Sequence, residues 1–218
     1  MTLTLVIGNK NYSSWSMRPW LALKAGGIAF EEMFVPLYTG RADKQRILDI
    51  TPAGKVPALI DGDVTVWDSL AIIEYLAERF PEAGLWPADP ASRARARSVS
   101  AEMHAGFAAL RNECGMNLHR PIGAKALSDN ARADVARIQE LWTDCRQRFA
   151  EAGPFLFGAF SAADAMYGPV VHRFRTYAIA VTPPVRAYMD AMMSCPAFRQ
   201  WTDEGLAETL VIERLEAG

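Results

Sequence analysis

Apolar and polar positions divide the chain into two halves of different period. In the first, Leu3 to Ile7 is a short apolar run that predicts a strand. The polar, turn-rich Gly8-Asn-Lys-Asn-Tyr-Ser-Ser follows it. Leu21 to Lys24 lies in a helix that Gly26-Gly27 ends. Phe30 to Pro36 includes a second strand, apolar at Phe30, Met33, Phe34 and Val35 around two glutamates. Residues 37–51 are charged and loop-like, with a short helix around Lys44 to Asp49. A third strand runs from Pro57 to Ile60. An Asp61-Gly62 turn leads into a fourth, Val64 to Trp67. Asp68-Ser69 then opens a helix, Leu70 to Phe80. The order is strand, helix, strand, helix, strand, strand, helix, which is a small α/β layer structure.

Pro81 to Pro90 holds three prolines and a glycine in ten residues, a composition that marks a linker. Beyond it the chain is rich in Ala, Arg, Glu and Met, without a strand pattern. Ala91 to Leu110 and Asn130 to Glu151 read as long helices. Ser161-Ala-Ala-Asp164 fits a capping box with Asp in place of Glu or Gln, and opens a helix through Met166 and Val170 toward Phe174. Pro183-Pro184 begins another, Val185 to Met193, which Cys195-Pro196 stops. Trp201 and the segment Leu206 to Leu215 are expected to pack over the seam between the halves. No internal repeat or low-complexity tract interrupts the pattern. The expected fold is α/β plus all-α: residues 1–80, a linker at 81–90, and a helical bundle at 91–218.

Composition narrows the function classes. Half of the 218 residues are hydrophobic, enough for a sizeable core. The 23 basic and 25 acidic residues leave a net charge of −2, which argues against a nucleic-acid partner. The first apolar run has no basic region before it, so it reads as a strand and not a signal peptide. No apolar run approaches the roughly 20 residues of a membrane span. Cys114, Cys145 and Cys195 are widely spaced and form no metal-ligand pattern with the three histidines. A reducing, cytoplasmic compartment and no metal are expected.

Two stretches carry candidate chemistry. Pro57, at the first position of its strand, brings no ladder donor and leaves the Val56 backbone free to pair elsewhere. The helix that Asp68-Ser69 opens presents N–H groups and a partial positive charge, which suit a carboxylate. Together they form a dock for an extended, anionic, peptide-like ligand. The second stretch is Asn11-Tyr-Ser-Ser-Trp-Ser-Met-Arg-Pro19. Proline is tolerated in the first turn of a helix, so this helix is expected to begin near Ser16. Ser13 and Ser14 lie just ahead of that start. A thiol brought there meets unpaired N–H groups and a hydroxyl donor, which favour the nucleophilic thiolate. Taken singly, these serines would be helix caps, Asp68 a first-turn acid and Lys55 a solvated charge.

The Val-Pro and Asp-Ser pair, with the fold order, resembles the glutathione-binding half of the glutathione transferase superfamily, a thioredoxin-like domain followed by an all-helical one. Phe155 to Asp164 resembles that superfamily's capping motif. The resemblance implies that Val56, before a cis Pro57, pairs with the cysteinyl backbone of glutathione. It implies that Asp68 and Ser69 hold the γ-glutamyl end and that Lys55 meets the glycyl end. Ser-Ser-Trp-Ser-Met-Arg resembles the Ser-Ser-Cys-Ser-x-Arg string of the zeta class. By that match Ser13 is the catalytic serine, Ser14 is second choice, and Arg18 stands where the class has an arginine. Trp15 replaces the class's cysteine. Trp15, His104, Phe107 and Arg111 are candidates for the electrophile site, whereas His119 and His172 read as surface or core residues. Glutathione as co-substrate, a small hydrophobic electrophile and a homodimer are implied. A glutathione-dependent isomerase resembling maleylacetoacetate isomerase, and a non-enzymatic binding or regulatory module, are the alternatives.

Overall fold

The computed structural model describes residues 2–38 and 40–216, with Ala42 described by its backbone alone. Met1, Ala217 and Gly218 of the expected domain ranges, and Thr39 of the expected loop, lie outside the described residues. Strand β1 (Leu3–Ile7) pairs in parallel with β2 (Phe30–Phe34) and antiparallel with β3 (Ala58–Asp61). Strand β4 (Val64–Trp67) closes the other edge, giving the order β2-β1-β3-β4. Alternation along β1 sorts the two faces. Leu3, Leu5 and Ile7 enter a large core with helices α1 (Ser14–Ala25) and α3 (Ser69–Arg79). Val6 faces the other way, with Val35, Ala58 and Ile47 of α2 (Arg41–Ile50). This is the thioredoxin-like sandwich.

Helix α1 begins at Ser14, two residues earlier than expected, and holds Pro19 inside it. The reason is the cap. Ser13 Oγ accepts the Ser16 N–H at 3.3 Å and sets the start upstream of the proline. Pro19 still removes the helical donor to the Trp15 carbonyl.

The second half is helical. Its elements are α4 (Pro90–Ala105), α5 (Ala108–Glu113), α6 (Asp129–Phe149), α7 (Ala162–Thr176), α8 (Pro183–Ser194), α9 (Pro196–Ala207) and α10 (Glu213–Glu216). The single helix expected from Ala91 to Leu110 breaks at Gly106. That residue is extended, and Phe107 takes φ +58°, so α4 and α5 leave the junction in different directions. A Cβ at position 106 would sit 2.7 Å from the Glu102 carbonyl oxygen, which explains the glycine. Cys195-Pro196 does stop α8, but Pro196 is also the first residue of α9. Asp164 completes the cap of α7: it accepts the Ser161 N–H at 2.8 Å and the Leu156 N–H at 3.0 Å.

One continuous core joins the halves. Helix α7 lies so close to α1 that a Cβ at Gly168 would meet Leu21 Cδ1 at 2.5 Å. The Trp20 and Trp201 rings meet edge-on at 5.2 Å. Lys10 Nζ pairs with Glu32 at 2.6 Å and also with Glu204. Trp201 and Ile212 are buried at the seam as expected, whereas Leu206 is half exposed.

Candidate active site

A cleft of about 1090 Å³ opens between the β1–α1 loop, the approach to α2, the Val56–Pro57 corner and the start of α3. Arg111 and Leu215 close it from the helical half. Ser13, Ser14, Trp15, Lys55, Val56, Pro57, Asp68 and Ser69 all line it. Residues far apart in the sequence thus converge on one space.

The Val56–Pro57 peptide is cis. Strand β3 begins only at Ala58, so Val56 stands ahead of the ladder and faces the cleft. Asp68, with φ +73°, caps α3 through Oδ1, which accepts the Leu70 N–H at 2.9 Å. Ser69 follows as the first helical residue. Its Oγ is buried and has no hydrogen-bond partner among the described residues. A buried hydroxyl with no partner costs free energy unless a ligand satisfies it. Lys55 is exposed at the cleft's rim.

The two serines differ in their partners. Ser13 Oγ donates to Ser16 Oγ at 2.8 Å, and Ser16 Oγ also accepts the Gly8 N–H at 3.2 Å. Both bonds converge on Ser16 Oγ, in the first turn of the helix that Ser13 caps. Ser14 Oγ instead accepts from Arg173 Nη2 at 3.3 Å. Both serines are largely buried yet line the cleft.

Behind the serines lies a cluster of arginines. Arg18 is fully buried, and all three of its side-chain nitrogens lack hydrogen-bond partners among the described residues. Its guanidinium lies 4.1 Å from the Trp15 ring, a cation–π contact. Burial, then Arg173 and Arg111, push its pKa down to about 9. Burial and Arg111 push Arg173 down to about 10. Arg173 Nε donates to the Cys114 carbonyl at 2.8 Å. Arg111, whose pKa burial also lowers, lies 5.4 Å from the same Trp15 ring.

The four expected electrophile-site residues separate. Trp15 and Arg111 line the cleft. Phe107 is buried in the core at the α4–α5 break and does not. His104 turns to the first half, with Nε2 3.3 Å from Asp68 Oδ2. His172 is buried and stacked on Phe198 at 4.3 Å, and His119 bonds the Leu206 carbonyl at 3.1 Å, so both are structural. Sequence reasoning missed Arg173, 159 residues from its partner Ser14. The available signal was a charge within an otherwise buried helix. It also missed Tyr12, which lines the cleft but whose hydroxyl donates to Glu216 and accepts the Ile212 N–H at 3.3 Å. Burial and the Glu216 bond raise the Tyr12 pKa.

Comparison with known proteins identifies the family. Residues 12–79 match the family described as Glutathione S-transferase, N-terminal domain, and residues 90–204 match Glutathione S-transferase, C-terminal domain. The chain belongs to the glutathione S-transferase family. A maleylacetoacetate isomerase of Pseudomonas aeruginosa is 31% identical over 202 residues, 88% of this chain and 91% of that one. A probable maleylacetoacetate isomerase of Caenorhabditis elegans is 43% identical over 100 residues, a match that spans 45% of each chain. The crystal structure of a glutathione transferase homologue from Burkholderia gl BGR1, with bound glutathione, superposes with a TM-score of 0.73. At 24% identity, covering 95% of this chain and 100% of that one, it shows the shared fold. Among the described residues, no group of three or more His, Cys, Asp or Glu could hold a metal, and no helix is long and apolar enough to cross a membrane.

Proposed function

We propose that this protein, as a glutathione transferase, binds glutathione in the cleft and activates its thiolate for attack on an electrophile that carries a carboxylate. The observation that carries the reading is the buried, unpartnered Ser69 hydroxyl at the start of α3, on the same cleft as the cap of α1. Ser69 and the α3 N–H groups take the γ-glutamyl carboxylate, and the Asp68 carboxylate takes the neighbouring ammonium. Val56 pairs with the cysteinyl backbone, and Lys55 meets the glycyl carboxylate. This places the thiol at the start of α1.

There Ser13 turns its hydroxyl proton from Ser16 to the sulfur and accepts from Ser16 in return. The Gly8 N–H supports the far end of this relay. Hydrogen bonds to the charged form and the helix's positive end lower the thiol pKa. A drop of two units from the ordinary value of about 8.5 needs about 3 kcal/mol, within the range of one charge-assisted hydrogen bond plus a helix terminus. The nucleophile belongs to glutathione, so the protein supplies position and electrostatics.

The arginine cluster selects the second substrate. Arg111 lines the cleft, and buried Arg18 and Arg173 add positive potential in a low-dielectric wall. Trp15 supplies an apolar surface beside them. The same cluster favours a second reading, glutathione-dependent isomerisation of an acidic substrate, the activity named for the Pseudomonas relative. Product analysis separates the two, because isomerisation returns glutathione unconsumed. The family resemblance adds a cytoplasmic homodimer to the proposal, which sedimentation would check. Calorimetric titration with glutathione tests the reading. Saturable binding that Ser69→Ala weakens about tenfold supports it, on the scale of a lost hydrogen bond to a charged group. Absence of binding would favour an interaction module.

A further inference from the structure

His104 does not line the cleft itself but reaches a residue that does, Asp68, from the opposite half of the molecule. It sits in the last turn of α4, and its Nε2 lies 3.3 Å from Asp68 Oδ2. Asp68 Oδ1 is already held by the Leu70 N–H at 2.9 Å. The two contacts together fix both oxygens of a carboxylate whose side chain is otherwise 44% exposed. The imidazole is itself held in place. Its ring meets Trp15 edge-on at 5.4 Å, and its backbone carbonyl accepts from Arg111 Nη1 at 3.3 Å. His104 Nδ1 is buried with no partner among the described residues. A bare ring nitrogen there is less costly than an orphaned N–H, so the proton of the neutral ring belongs on Nε2, facing Asp68.

We infer that His104 is a positioning residue for glutathione: it acts through Asp68, holding that carboxylate toward the α-ammonium of the γ-glutamyl end. The inference rests on the proposed glutathione site. It departs from the expectation that His104 belongs to the electrophile. Without the imidazole, Asp68 keeps its cap but its second oxygen is free to swing into solvent. A carboxylate that must be ordered again on binding costs affinity for the ammonium, while the thiol subsite at Ser13 stays as it is.

The test compares glutathione with glutaryl-cysteinyl-glycine, the analogue lacking the α-ammonium, by calorimetric titration of wild type, His104→Ala, His104→Gln, Asp68→Asn and the Asp68→Asn/His104→Ala double variant. The expected result is a five- to tenfold weaker glutathione affinity in His104→Ala, on the order of 1 kcal/mol. His104→Gln, whose amide can donate, recovers most of it. For the analogue, His104→Ala and wild type agree within about twofold, and in the Asp68→Asn background the second substitution adds nothing. Steady-state kinetics of His104→Ala show a raised glutathione KM. Equal losses for glutathione and the analogue, or a rise in the electrophile KM alone, overturn the inference. Glutathione binding that His104→Ala leaves unaltered also overturns it, while leaving the glutathione site standing. A wild-type protein that binds no glutathione overturns both.

Discussion

Arg173 Nη2 donates to Ser14 Oγ across 3.3 Å, tying helix α7 of the second half to the loop that opens α1 of the first. The contact gives adjacent serines different partners: Ser14 accepts from an arginine, whereas Ser13 donates to Ser16 Oγ, which also accepts the Gly8 N–H. Arg173→Leu therefore should act on the electrophile side. The expected outcome is about a tenfold higher KM for a carboxylate-bearing electrophile, with glutathione affinity within twofold of wild type. Steady-state kinetics with both substrates varied checks this.

Arg18 is expected to trade stability for function. A buried guanidinium with three unpartnered nitrogens costs free energy that the Trp15 contact only partly offsets. Arg18→Met should hold or raise stability, by about 1–3 kcal/mol, while weakening binding of the acidic electrophile. Urea unfolding beside the kinetic measurement checks both halves. A large loss of stability would mean that Arg18 has a structural partner role.

His172 sets a pH dependence. Burial, then Arg175 and Arg173, lower its pKa from 6.5 to about 3 in the folded protein. Between those values the unfolded chain binds the extra proton, so stability falls as the pH drops below 6.5 toward about 3. The slope approaches about 1.4 kcal/mol per pH unit for this one group. His172→Phe keeps the stack on Phe198 and removes the titration, so its urea midpoint should fall less steeply between pH 7 and pH 5.

Gly168 tests the seam. A β-branched side chain there would drive α7 off Leu21 of α1. Gly168→Val should destabilise by about 1–3 kcal/mol through overpacking, read as a lower thermal midpoint. Because the serine loop begins α1, its activity should fall at temperatures where the protein is still folded.

The stretch from Pro52 to Ser69 was legible because its determinants are local. Pro57, the Asp61-Gly62 turn and the Asp68 cap each act within a few residues of themselves. The start of α1 was not, because two local rules compete there. The Ser13 cap outweighs the preference of Pro19 for a first turn, and a helix missing the donor to the Trp15 carbonyl is the result. The break at Gly106 was signalled by the glycine, yet the helical spacing of Met103, Phe107 and Leu110 runs straight across it. The facing of His104 was not readable either. Periodicity places it on a helix, but only tertiary packing puts Asp68 opposite. Arg173 belongs to the same class: its role comes from α7 crossing α1, which no spacing in its own segment records.

In the proposed mechanism a serine hydroxyl at the start of α1 holds glutathione as a thiolate. The most direct measurement is the ultraviolet absorbance of the thiolate of bound glutathione against pH, in wild type, Ser13→Ala and Ser14→Ala. The expected result is a thiol pKa lowered by about two units in wild type and in Ser14→Ala, with most of that shift lost in Ser13→Ala. Bound glutathione that titrates like the free thiol in wild type, or a shift that survives Ser13→Ala, would contradict it.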